Sequence, residues 1–265
     1  MPNETQEAKT VRTIADKGVW ETITEGITMY ENDDGVFEFD PDEGFRVVLA
    51  DPAKVALVSQ TIEPSDFDAY DVTTPFKLGI NANRLEDVLG EVGDAPVKLE
   101  FDFDDFMLKL RAGDVRYNFA GLDPESVRGS PTDIPPIDDD KAYDVRVNMP
   151  TDTFKRAQKL SEMVTQIVTW EMSPDGFVFR GWGDTDDVSV DAVDTEGFEW
   201  IDKPDTEHEA RQSVDYMKDV ASVLDEDTVE LVTGTDLPYH LMTSRGPVGN
   251  RVVDTHIVQA PRIED

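Results

Sequence analysis

Cysteine is absent from these 265 residues, which excludes a disulfide framework, a thiol nucleophile and any thiolate metal site. Histidine is scarce: His208, His240 and His256 are the three, and their spacing is not that of metal ligands. Basic residues are also few. Against 58 Asp and Glu the chain sets 24 Lys and Arg, only 11 of them lysine, for a net charge of -34. No apolar run approaches the roughly 20 residues a membrane-spanning helix needs. The polar, acidic start MPNETQEAK lacks the basic and apolar regions of a signal peptide. A cytoplasmic protein with no membrane partner is expected.

The acids are spread along both halves of the chain, which favours a solvated surface over a DNA-mimicking or cation-holding one. At low ionic strength such a chain repels itself, whereas at molar salt the screening length falls to about 3 Å and the repulsion is suppressed. A salt-rich cytoplasm, of a cell or of a virus's host, is the expected setting. With 38% hydrophobic residues, including 13 Phe and 4 Trp, the chain can fill real cores, so disorder is not expected.

Its length suits two cores better than one. The stretch LDPESVRGSPTDIPPIDDD, residues 122–140, holds four prolines and follows no helical or strand period. It reads as a connector between domains 1–121 and 141–265. The two flanks can be laid on each other at one offset: residues 85–101 fall on 217–233, 132 positions on. Leu85, Val88, Leu89 and Val92, the apolar stripe of a helix, then lie over Met217, Val220, Ala221 and Leu224. Val97 and Leu99 lie over Val229 and Leu231, and Gly44-Phe45 over Gly176-Phe177. An offset shared by separated pieces marks a duplicated unit.

Each unit reads as mostly strand with two helices, an α+β fold. In the first, Val19, Trp20, Ile23 and Ile27 predict a helix over about Gly18 to Tyr30, weakened by Gly26. Asn81 or Asn83 caps a second helix. PVKLEFDF and FMLKLRA form a hairpin turning at Asp104-Asp105, and VRYNFAGL closes the unit. In the second, helices are expected over about Asp152 to Val164, with Phe154, Ala157 and Leu160 inward, and over about Val214 to Leu224. The strands GFVFRGW and DVSVDAV lie between them.

Catalytic motifs are missing. Gly181-Trp182-Gly183 lacks the third glycine of a phosphate-binding loop, and no Gly-x-Ser-x-Gly elbow occurs. Asp102, Asp104 and Asp105 could hold magnesium as in a nucleic-acid enzyme. However, Phe101, Phe103, Phe106, Leu108 and Leu110 alternate through them, which puts the aspartates on the solvent face and turn of the hairpin. Neither an enzyme nor a cofactor is expected.

The C-terminal run THIVQAPRIED resembles the end of the archaeal and eukaryotic sliding clamps of DNA replication, the proliferating-cell-nuclear-antigen family. LADPAKVALV, FDAYDVTTPFKLGINANRLEDVL, LDPES and TDLPYHLM fall in the family's order, so the resemblance covers about residues 10 to 265. It implies two clamp domains per chain, each with antiparallel sheets outside and two helices on the DNA side. It further implies three chains closed into a pseudo-sixfold ring around duplex DNA. Such a processivity factor tethers DNA polymerase, clamp loader, flap nuclease and ligase by short peptides. Two other readings remain open: a monomeric clamp-fold polymerase accessory or scaffold, and the metal-dependent enzyme above.

The resemblance also nominates residues. Arg84, Lys155, Arg156, Lys159, Arg211 and Lys218 would face DNA, with the first helix carrying no base. Ala50, Val127, Ile134, Pro238, Val258, Ala260 and Pro261 would line the partner-peptide pocket. Arg116, Tyr117 and Phe119 of one chain would meet Val188 and Val190 of the next, strand edge to strand edge.

Overall fold

The computed structural model describes residues 9–128, 137, 143–245 and 252–262. The chain forms two compact units, one of Met1–Pro52, Ser59–Pro131 and Gly246–Val253, the other of Ala53–Val58, Thr132–Arg245 and Asp254–Asp265. The first holds β1 (Val11–Ala15), α1 (Lys17–Thr28), β2 (Asp34–Asp40), β3 (Gly44–Ala50), most of β4 (Ala56–Ile62), β5 (Ala69–Val72), β6 (Phe76–Asn81), α2 (Ala82–Gly90), β7 (Val97–Asp102), β8 (Met107–Ala112) and β9 (Val115–Ala120). Its strands lie in the orders β5-β1-β7-β8-β9 and β4-β3-β2-β6.

The second unit holds β10 (Val145–Pro150), α3 (Thr151–Glu162), β11 (Ile167–Ser173), β12 (Gly176–Trp182), β13 (Asp187–Asp191), β14 (Glu199–Asp202), β15 (His208–Ser213), α4 (Val214–Val223), β16 (Thr228–Thr233), β17 (Tyr239–Arg245) and nearly all of β18 (Val253–Gln259). Its orders are β14-β10-β16-β17-β18 and β13-β12-β11-β15. Adding nine to each strand number of the first unit gives the second. The offset in the sequence therefore reports a duplicated topology. The matched stripes are buried as well, Leu85, Leu89, Met217 and Val220 wholly and Val97, Leu99, Val229 and Leu231 nearly so.

Helix and core follow from the apolar stripes. Val19, Trp20, Ile23 and Ile27 of α1 are buried, and Trp20 packs among Phe37, Phe45 and Phe67 with ring centroids 5.4 to 6.3 Å away. In the second unit Trp170 holds the same central place among Phe154, Phe177, Phe179 and Tyr239. Asn81 caps α2: its Oδ1 accepts from the Arg84 amide at 2.9 Å, a contribution of about 1 kcal/mol.

Three local expectations are corrected. Helix α1 begins at Lys17, so it does carry a base, paired with Glu21 one turn on at 3.0 Å. Leu160 is 36% exposed, because α3 turns Phe154, Ala157, Gln158 and Ser161 inward and leaves Leu160 off that face. Phe106 does not continue the strand alternation. It sits at φ 53° in the hairpin turn, 45% exposed, and leans edge-on against Phe101.

Two glycines have specific spatial roles. Gly79 exchanges backbone hydrogen bonds with Leu122 (3.0 and 2.8 Å), and a Cβ there would lie 2.8 Å from Leu122 Cβ and from Val127 Cγ2. The chain leaving β9 thus lies directly on β6. Gly26 does more than weaken α1, since its bare backbone admits the buried Gln60 side chain, whose amide donates to Thr22 O at 2.8 Å. Alanine at an open helix position ordinarily stabilises by about 1 kcal/mol over glycine. Here its Cβ would fall 2.5 Å from the Gln60 amide. Gly26→Ala is expected to destabilise by about 1–3 kcal/mol in urea unfolding, and Gln60→Ala in the same chain to recover part of that loss.

Candidate DNA-facing and partner-binding residues

The basic residues differ in what already holds them. Lys155 on α3 donates to the Leu224 carbonyl at the end of α4 at 2.5 Å, and Arg156 reaches Thr195 Oγ1 at 3.3 Å. Lys218 on α4 pairs with Glu162 on α3 at 2.6 Å, and that hydrogen bond holds the Glu162 carboxyl below its usual range. Arg211 lies on β15 rather than on a helix, with Nε 3.6 Å from Glu209. Among the described residues Arg84 and Lys159, both exposed, have side chains without an ion pair.

The nominated edge strands are terminal strands. β9 has β8 as its one neighbour and β13 has β12. Along β9 Arg116 is exposed, Tyr117 half-buried and Phe119 buried; along β13 Val188 is half-buried and Val190 buried between exposed Asp187, Ser189 and Asp191. Phe119 and Val190 thus belong to their own cores, with half-buried Tyr117 and Val188 two residues away on the same faces and Arg116 on the opposite, exposed face of β9.

The nominated peptide-site residues divide between the units. In the first, Ala50 ends β3, 8% exposed, and Val127 is buried beside Gly79. In the second, Pro238 precedes β17, Val258 lies in β18, and Ala260 and Pro261 follow it, both partly exposed. Ala260 N donates to Val55 O at 2.7 Å. Ile134 lies outside the described residues, as do Asp138 to Asp140.

Asp102 closes a turn. Its Oδ1 accepts from the Asp104 and Asp105 amides at 3.0 and 3.2 Å and its Oδ2 from Lys109 Nζ. Lys109 first, then the two amides, hold its carboxyl below the usual range. No cluster of three or more His, Asp or Glu suited to a metal occurs among the described residues. Nor is any helix among them long and apolar enough to cross a membrane.

The spacing of the histidines concealed one pairing. His240 on β17 is fully buried; its Nδ1 lies 3.0 Å from His256 Nε2 on β18, and its Nε2 lies 3.1 Å from Tyr143 Oη. Only the adjacency of β17 and β18 brings together residues sixteen apart, so no sequence period could show it.

The fold and its edges define a class, the two-unit clamp. The chain matches a structure of the C-terminal region of FEN-1 bound to A. fulgidus PCNA with TM-score 0.83 and 26% identity, over 96% of this chain and 99% of that one. It matches the PCNA of Thermococcus kodakaraensis with TM-score 0.81 at 19% identity, over 96% of this chain and all of the other. No family model matches the sequence. The DNA polymerase sliding clamp of Methanothrix thermoacetophila is 30% identical over 202 residues, 76% of this chain and 79% of that protein. That of Natronomonas pharaonis is 29% identical over 231 residues, 84% and 87%. The chain belongs to the DNA polymerase sliding clamp family.

Burial lowers the affinity of His256 for a proton below the ordinary imidazole value of 6.5. The unfolded chain then binds more protons than the folded one as pH falls below that value, so folding stability decreases on acidification. Urea unfolding between pH 7.5 and 5.5 is expected to show this loss, with His240 the group facing the ring. His256→Asn is expected to flatten the profile.

Proposed function

We propose that three copies of this chain close head to tail into a ring around duplex DNA, β9 of one copy pairing with β13 of the next. As a member of the sliding clamp family the chain is a polymerase processivity factor. The observation that carries the ring is that each unit has a terminal strand with a single neighbour, β9 in the first and β13 in the second. Pairing them satisfies their backbone groups and removes exposed edges. Their charges are complementary: Arg116 is exposed on β9, Asp187 and Asp191 on β13. The clamp adds no catalytic groups of its own. Asp102 serves the hairpin turn, and the ring holds its partners rather than acting on substrate.

Arg84 of the first unit and Lys159 of the second, free of ion pairs, are the residues we assign to the DNA phosphates, with Arg156 one turn before Lys159 on α3. Lys155 and Lys218 chiefly brace α3 against α4, and Arg211 is the weakest candidate of the six. A ring suits so acidic a chain. Phosphate contacts weaken steeply with salt, whereas a closed ring stays on DNA by topology. Partner proteins would dock by short peptides at a site including Pro238, Val258, Ala260 and Pro261 of the second unit, as the C-terminal region of FEN-1 binds the related clamp of A. fulgidus.

Light scattering in about molar KCl, where repulsion is screened, is expected to give ~89 kDa, three times the 29.7 kDa chain. Ser189→Pro, which removes an edge amide, is expected to bring the mass down to that of one chain. A wild-type mass of one chain would remove the ring. Arg84→Glu with Lys159→Glu is expected to keep the trimer mass and lower polymerase processivity several-fold on primed template.

A further inference from the structure

The end of β18 and the segment that follows it are fixed at three places. Ala260 N donates to Val55 O at 2.7 Å, and Arg262 N donates to Arg211 O on β15 at 2.8 Å. Between them Pro261 has no amide to donate. The third attachment is a side chain. Gln259, 1% exposed, accepts from Tyr239 Oη at 2.7 Å and donates through Nε2 to Gln212 Oε1 at 3.2 Å. Tyr239 and Gln212 are themselves fully buried. Gln212 adjoins Arg211, the residue whose carbonyl receives Arg262.

This chain of buried groups is not arranged for maximal stability. It ends on Gln212 Nε2, a buried donor with no partner among the described residues. Buried polar groups are ordinarily paired, and an apolar set of the same shape would leave no donor unmet. What the amides supply, and leucines would not, is direction: each hydrogen bond fixes a side-chain orientation, and together they set where β18 ends relative to β15 and β17.

We propose that Gln259, Gln212 and Tyr239 are positioning residues for the partner-peptide site, holding the half-exposed pair Ala260-Pro261 in the place a docking peptide requires. The inference rests on the peptide-binding reading above. An apolar contact surface must be held within a fraction of an ångström to be complementary. Two backbone bonds on either side of a proline leave the segment free to pivot, and the Gln259 side chain removes that freedom at the strand end.

The test compares wild type with Tyr239→Phe and with the triple variant Tyr239→Phe, Gln212→Leu, Gln259→Leu. All are titrated in about molar KCl with a fluorescein-labelled synthetic peptide of the FEN-1 C-terminal region, and each is also melted. The triple variant removes every polar end at once, so its melting temperature should stay near wild type or rise. Peptide affinity should fall about tenfold, and the Ala260 and Arg262 amides should exchange with solvent faster while those of β16 do not. Tyr239→Phe should show the same pattern in smaller degree. Equal affinity in a wild type that binds would overturn the positioning role, as would a loss that only tracks melting temperature, with β16 amides exchanging faster too. If the triple variant does not fold, the Tyr239→Phe comparison decides alone by the same criteria. Wild type that does not take up the peptide, while still running as a trimer, would instead overturn the peptide-binding reading.

Discussion

A strand's backbone groups need a partner on each side, and this structure is organised by where that need is unmet. Each unit repeats one strand order, and in each a single nominated strand, β9 or β13, has one neighbour. A long bare edge invites uncontrolled pairing. A closed assembly resolves that hazard, because the edge of one copy and the edge of the next are different strands and can alternate around a ring. In the pairing proposed above, exposed Arg116 on β9 and exposed Asp187 and Asp191 on β13 would favour head-to-tail contact over self-pairing of like edges.

The second constraint is charge. A net of -34 suits a medium that screens it, and in that medium attraction to phosphate is a weak means of staying on DNA. The helices reflect this. Lys17, Lys155 and Lys218 are each satisfied within the protein, by Glu21, the Leu224 carbonyl and Glu162. Few cations remain for DNA, and a topological hold needs few.

Much of the fold was legible because apolar spacing reports burial directly. The stripes of α1, α2 and α4, the cap at Asn81 and the turn at Asp104-Asp105 all follow from rules of local period and local hydrogen bonding. Failures occurred where a neighbour far along the chain decides. Leu160 has the right residue type at nearly the right spacing, yet α3 packs with Gln158 and Ser161 inward. Gly26 reads as a weakness in a helix until Gln60, thirty-four residues on, is seen to occupy the space a side chain would take.

The sequence by itself determined the duplication, the acidic surface and the family, because period, composition and a shared offset survive in one dimension. Only the tertiary structure decided which cations are already spent, that Phe119 and Val190 serve their own cores, and that His240 meets His256. It alone brought Gln259, Gln212 and Tyr239 together behind Ala260-Pro261. These are matters of which strands lie side by side, and a hydrogen bond between residues 47 positions apart leaves no periodic trace in the chain that makes it.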